Sequence, residues 1–401
     1  MTQCPDKNIL KIDGSYGEGG GQILRTALAL SCVFKRPIEI MNIRKSRKRP
    51  GLQPQHLTAV KATTAVSNAR VEGAELSSTM LRFSPGHLAG REYLFDVSEK
   101  KGSAGSTSLV LQTILLPLCF AERQSSSTVI GGTHVPWSPS YHYLKHVFLP
   151  ALSRLGVKAE LNIEKWGWYP IGGGKVTATV NPKREFLPIG VIERGKLMRV
   201  TGISAVSNLP QDIAKRQRDQ ALKMLSQKGI DAEIEIISAP SPGKGTLMFL
   251  RAEYENITVG FDSLGAIGKR AEEVADEACK ALFEYVEAGG ALDPHLADQI
   301  IPYLALASGP STFTTSRITQ HLLTNIWVVK QFMDVDIQVE GKEGEPGRVF
   351  AKGGSSFIPY AAVRNSRSQN STHVFSGLLR LFVVKFSNSY SNIYHVRDEG
   401  L

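Results

Sequence analysis

Six segments of this sequence carry residue types able to bind or transfer phosphate. The first is Gly17-Glu18-Gly19-Gly20-Gly21-Gln22, followed by Ile23, Leu24 and Arg25. Consecutive glycines let backbone N–H groups converge on an anion at a helix N-terminus. Gln22 stands where a dinucleotide fingerprint needs its third glycine, and no Gly-Lys-Ser/Thr follows, so neither common nucleotide motif is present. A tight turn that brings backbone close to a neighbour is the structural alternative. The second segment gathers Arg44, Arg47, Lys48 and Arg49 ahead of Pro50-Gly51-Leu52 and Gln55-His56. Guanidinium forks suit phosphate oxygens, although a charge run taken singly is usually a solvated face.

The remaining four are less specific when taken alone. Gly102-Ser103-Ala104-Gly105-Ser106-Thr107 opens an apolar helix containing Gln112. Its hydroxyls could face an anion or merely cap the helix, and a buried Gln112 needs hydrogen-bond partners, from a nucleobase edge or from neighbouring backbone. Trp168-Tyr169-Pro170-Ile171-Gly172-Gly173-Gly174-Lys175 precedes a strand and reads equally as a β-turn. Asp298-Gln299 lies on a helix whose apolar face is Leu296, Ile300, Tyr303 and Leu304. A carboxylate there could hold a magnesium ion or a ribose hydroxyl, or simply be solvated. In Thr319-Gln320-His321-Leu322-Leu323-Thr324-Asn325 a histidine falls near a helix start. The positive helix end disfavours imidazolium, and a neutral imidazole is a competent nucleophile toward activated phosphorus. A satisfied structural histidine is the ordinary alternative. No HExxH and no Ser/His/Asp order competes with these segments.

These residues need elements to position them. Strand patterns at 8–13, 37–43, 79–84 and 92–97 alternate with helical patterns at 22–34, 55–69 and 107–121. The order then restarts with a strand at 127–130, a helix at 141–155 and strands at 158–164 and 174–180. Strand–helix–strand–helix followed by two strands thus occurs twice, which predicts a layered α/β or α+β chain with an internal repeat. Residues 183–196 read as a connection. Strands at 197–205, 231–238 and 246–253 and a helix at 210–228 follow, then helices at 270–287, 295–307 and 319–333 and a strand at 336–340.

The 401 residues carry a formal net charge of +10, which favours polyanionic partners without excluding a plain solubility charge. Four cysteines, Cys4, Cys32, Cys119 and Cys279, form no CxxC pair, so no zinc or redox motif is visible and a reducing compartment is expected. No signal-peptide-like run and no membrane-length apolar segment is present, and the expectation is a soluble intracellular protein: cytoplasmic, or nuclear in a eukaryote.

Taken together the motifs resemble the RNA 3′-terminal phosphate cyclase family. The matching stretches are DGSYGEGGGQILR at 13–25, IRKSRKRPGLQPQHL at 43–57, VEGAEL at 71–76, GSAGSTSLVLQT at 102–113, WYPIGGG at 168–174, LADQ at 296–299 and HLLTN at 321–325. The resemblance implies an α+β fold of repeated units, each with two helices on a four-stranded sheet. These units form a large domain over 1–185 and 286–354, with a small α/β domain inserted at 186–285. Residues 355–401 form an atypical, Ser- and Asn-rich tail. It further implies an ATP-dependent enzyme acting on RNA with a 3′-terminal phosphate, with Mg²⁺ or Mn²⁺, through an AMP–histidine at His321. By the same resemblance Gln112 and His295, Leu296, Ala297, Asp298 and Gln299 bind ATP. Glu18, Gln22, Arg25, Arg44, Arg47, Gln55 and His56 line the phosphate pocket, and Asp298 is the candidate near the metal. His295 departs from the aromatic Tyr of many members. The competing expectations are a non-catalytic, ribosome-assembly member of the family, which lacks the histidine, and an enolpyruvyl transferase, which uses no covalent AMP–histidine.

Overall fold

The computed structural model describes residues 9–97 and 104–354. Gly102 and Ser103 of the third motif, Cys4 and the 355–401 tail lie outside the described residues. The first sheet is built from β1 (Leu10–Asp13), β2 (Ile38–Met41), β3 (Arg70–Glu72) and β4 (Leu81–Ser84), with α1 (Gly21–Phe34) and α2 (Pro54–Ser67) between them in sequence. Its strand order is β1-β2-β4-β3, with β1 and β2 parallel and the other pairs antiparallel. The second sheet takes β5 (Glu92–Asp96), β6 (Ser125–Gly131), β7 (Ala159–Lys165) and β8 (Gly174–Val180) in the order β5-β6-β8-β7, again with one parallel and two antiparallel pairings. Its helices are α3 (Thr107–Cys119), then α4 (Tyr141–Tyr143), a π-helical turn over Leu144–Phe148, and α5 (Leu149–Arg154).

The same topology occurs a third time. It begins at β9 (Gly190–Val191), a two-residue strand inside the stretch expected to be a plain connection. Before its partners arrive, the chain makes β10 (Leu197–Ser207), α6 (Gln211–Gln227), β11 (Ala232–Ser238), β12 (Gly245–Tyr254), β13 (Thr258–Leu264) and α7 (Ala271–Ala288). These strands form a sheet of different order, β11-β10-β12-β13, in which the first strand is central rather than at the edge. The third copy then resumes with α8 (Pro294–Gln299), α9 (Ile301–Ala305), β14 (Ser311–Thr315), α10 (Gln320–Phe332), β15 (Ile337–Glu340) and β16 (Gly347–Ala351). It pairs as β9-β14-β16-β15. The chain is therefore α+β, with the repeated unit expected from its sequence.

Further sequence expectations shift, and β13, β14 and β16 fall where no strand was expected. The final strand pair of the first copy is β3 and β4, and the run at 92–97 opens the second copy. β3 has only three residues, too few to show a period of two. The helix expected at 295–307 breaks at Ile300, because Pro302 has no N–H to donate to the carbonyl of Asp298. That carbonyl instead accepts from Asn325 Nδ2 at 2.7 Å.

The strands that face solvent on one side alternate: β6 and β8 bury every second residue. By contrast α1 is apolar nearly all round, since it lies among α2, α3 and α10. Cys32, Cys119 and Cys279 are buried and unpaired. No helix among the described residues is long and apolar enough to cross a membrane.

Candidate functional site

Two helices set the centre of the site. Gln22 and Thr26 are one turn apart on α1, and His321 and Asn325 are one turn apart on α10, so each pair shares a helix face. The faces meet in register. Gln22 Nε2 donates to the His321 carbonyl (3.2 Å), and Thr26 Oγ1 donates to Asn325 Oδ1 (2.7 Å). Asn325 then reaches on to the Asp298 carbonyl. One hydrogen-bonded ladder thus fixes α1, α10 and α8 against one another.

The glycine cluster is shaped by the same approach. Tyr16 stacks on Trp327 of α10, with centroids 4.0 Å apart and rings 10° from parallel. Gly17 has φ +57°, and a Cβ there would lie 2.5 Å from Thr324 Oγ1. A Cβ on Gly21 would lie 2.3 Å from His56 Nε2 and 2.8 Å from Arg25 Nη1. Close backbone approach, together with a left-handed φ at Gly17, accounts for these two glycines. α1 begins at Gly21 with no side-chain cap, whereas α10 is capped by Thr319 Oγ1 accepting from Leu322 N.

His321 is held by both ring nitrogens. Nδ1 lies 2.8 Å from Gln22 Oε1, and Nε2 lies 3.1 Å from Glu18 Oε2. Because the Gln22 amide nitrogen is committed to a carbonyl, its oxygen faces the ring and can only accept. Nδ1 therefore carries the proton, and the neutral tautomer has its lone pair on Nε2. Arg47 competes for the same Glu18 oxygen at 3.1 Å. Burial is the main influence on the imidazole and lowers its pKa; Glu18 opposes that, while Arg25, His295 and Arg47 reinforce it.

Around this centre lies a cavity of about 520 Å³. Of the residues the sequence singled out, Gln22, Arg25, Gln112, His295, Asp298, Gln299 and His321 line it. Gln112 Nε2 donates to Gln299 Oε1 at 2.7 Å, so α3 and α8 meet at the wall. Arg25 is enclosed except at its cavity edge. Burial lowers its pKa to about 10, against the opposing charges of Glu18 and Asp298. Burial and the neighbouring Asp293 push the Asp298 carboxyl well above the usual range, although Arg25 pulls the other way. His56 accepts from Gln53 N at Nδ1 (3.1 Å) and is held neutral, its pKa pushed down to about 3 by burial and then by Arg25 and Arg44.

Other expected residues sit farther out. Arg44, at φ +54°, donates from Nη1 to the carbonyls of Arg49 (2.7 Å) and Gly51 (3.1 Å) and so closes its own loop. Gln55 packs beside Gly105, outside the cavity lining. Leu296 and Ala297 are fully buried and do not line the cavity. Missed by sequence reasoning were Tyr143, Phe148, Phe261, Asp262 and Tyr303, which complete the wall. Asp293 was missed too: its Oδ1 accepts from Tyr143 Oη (2.7 Å) and from the first N–H groups of α8. The i, i+4 spacing from Gln22 and His321 was the signal that could have found Thr26 and Asn325.

The described residues contain no group of three His, Cys, Asp or Glu side chains able to hold a metal. Asp298, with burial favouring its neutral form, is not a metal cage by itself.

The model of the family described as RNA 3′-terminal phosphate cyclase matches residues 16–339. The chain belongs to the RNA 3′-terminal phosphate cyclase family. It is 45% identical over 359 residues to a protein of that name from Methylococcus capsulatus, covering 88% of this chain and 99% of that one. It is 43% identical over 337 residues to one from Archaeoglobus fulgidus (84% and 99%), and 42% identical over 350 residues to one from Methanopyrus kandleri (85% and 98%). As a member of the cyclase family the chain is an enzyme of the ligase class.

Proposed function

We propose that this chain converts the 3′-terminal phosphate of RNA to a 2′,3′-cyclic phosphodiester, consuming ATP through an AMP–histidine at His321. The observation that carries the proposal is the placement of His321, with Nδ1 against Gln22 Oε1 and Nε2 beside Glu18 at the cavity edge. With Gln22 accepting from Nδ1–H, the ring that has lost its Nε2 proton presents a lone pair on Nε2 as the nucleophile, at the edge of a cavity of nucleotide size.

Nε2 attacks the α-phosphorus of ATP, the bond to the β-phosphate oxygen breaks, and pyrophosphate leaves. The RNA 3′-phosphate oxygen then attacks the same phosphorus and displaces Nε2, giving RNA capped by AMP through a pyrophosphate link. Attack of the vicinal 2′-hydroxyl on the RNA phosphorus closes the cyclic diester and expels AMP. Arg25 and Arg47 bring positive charge to the phosphates. Glu18 holds Nε2–H in the charged ring and is drawn toward Arg47 when the lone pair is needed. Gln112, His295 and Gln299 border the nucleotide, as does Asp298, near the ribose or the divalent ion. Mg²⁺ or Mn²⁺ would travel with the ATP phosphates.

The test is an RNA ending in a labelled 3′-phosphate. Incubation with the protein and ATP yields an end resistant to phosphatase. An end that stays phosphatase-sensitive in the presence of ATP and divalent ion contradicts the proposal.

A second expectation concerns pH. The Glu18 charge favours the imidazolium, so removing it lowers the His321 pKa further. In Glu18→Gln the acidic limb of the adenylation rate should move to lower pH than in wild type. A limb that stays in place or moves upward removes Glu18 from control of this proton.

A further inference from the structure

Trp137 is 96% exposed and stands at the rim of the cavity that holds His321. Its backbone adopts φ +59°, a conformation that bulky residues rarely take without a functional reason. The loop around it is stiff. Pro136 and Pro139 flank it, Ser138 Oγ donates to the Val135 carbonyl (3.0 Å), and Ser140 caps the helix that follows. The backbone that presents the ring therefore has little to lose on ordering. A second loop runs beside it, since His134 pairs in parallel with Trp168. That loop carries Tyr169 and Ile171, 63% and 55% exposed. None of these three side chains contributes to the core, so folding does not account for them.

We propose that Trp137 is the stacking plate for the 3′-terminal nucleobase of the RNA, with the Tyr169–Ile171 turn extending the platform for the nucleotide before it. This rests on the RNA-end reading of the site. The cavity has room for a nucleotide but not for a polymer, so the RNA must lie across its mouth while only its terminal phosphate enters. The walls already supply buried rings to a nucleotide inside, from Tyr143, Phe148 and Phe261. Trp137, at the rim and 96% exposed, meets what arrives from solvent. Stacking accepts any base, because every base has a π-face, and single strands are gripped in this way.

The test measures binding and so does not depend on whether His321 takes AMP. Short single-stranded RNA with a 3′-phosphate and a 5′ fluorophore is titrated with wild type, Trp137→Phe and Trp137→Gly. Glycine suits φ +59°, so the second variant removes the ring without straining the fold. Trp137→Gly should bind about tenfold more weakly or worse, the range expected for one base–aromatic stack, and Trp137→Phe should recover most of the affinity. With an RNA whose terminal nucleotide is abasic, wild type and Trp137→Gly should bind alike. Equal binding of the intact RNA by wild type and Trp137→Gly overturns the proposal. So does a loss confined to ATP binding, which would make Trp137 a cover for the nucleotide. If instead RNA binding follows the prediction while the phosphate end is never cyclised, the functional reading fails and the platform stands.

Discussion

His321→Ala should take up no AMP from ATP and cyclise no RNA ends, a loss of at least about 10⁴-fold, because removing a covalent nucleophile removes the step rather than weakening it. The protein should remain folded. His321 is in the first turn of α10, where Thr319 supplies the cap, and its side chain is half-exposed at the cavity edge. Alanine is favoured in helices, so the stability cost should stay within about 1 kcal/mol, mostly from the lost bond to Gln22. The measurements are adenylate uptake and thermal unfolding on the same preparation. Loss of both would make His321 structural. Retained uptake would place the nucleophile elsewhere.

Arg25→Ala should be the most damaging change that leaves His321 intact. Arg25 faces Glu18 and Asp298 from an enclosed position, and both carboxylates help keep it charged. Its removal takes a cation from the phosphate side of the cavity, with an expected loss of about 10²–10³-fold in adenylation. It also takes a nearby positive charge away from Asp298, while Glu18 keeps its ion pair with Arg47. Breaking a buried ion pair commonly costs about 3–5 kcal/mol, which is an upper bound here. The cost should fall below that range, because burial already favours the protonated form of Asp298. Arg25→Lys keeps the charge but not the planar fork, so it should restore stability more than rate. The check is urea unfolding alongside single-turnover adenylation. Equal recovery of both by lysine would reduce Arg25 to a point charge.

Much of this was legible in the sequence, for identifiable reasons. Most strands and helices of the first two copies carry a hydrophobic period, and those two copies of the repeat follow from it. The third copy was hidden because β9 is two residues long and is separated from β14 by an entire additional sheet. The glycine cluster and the basic loop were visible as segments. Their purpose was not, since Gly17 and Gly21 are explained by contacts with Thr324 and His56 that are distant in sequence. His321 alone was a weak signal. Its tautomer depends on Gln22, 299 residues earlier in the chain, and no local pattern encodes that pairing. The break before α9 follows directly from Pro302, whereas the use of the freed carbonyl by Asn325 could emerge only from packing. Phe261 and Asp262 reached the cavity wall on β13, a strand absent from the sequence-based expectation.

The central claim is that His321 Nε2 accepts AMP. Wild-type protein incubated with ATP labelled at the α-phosphate and a divalent ion, then digested and mapped by mass spectrometry, tests it most directly. One AMP should be found on the peptide containing His321, lost in acid and stable in alkali, as a phosphoramidate requires, and absent from His321→Ala. Label on any other peptide, or RNA ends cyclised with no label on His321 at any time, would contradict it.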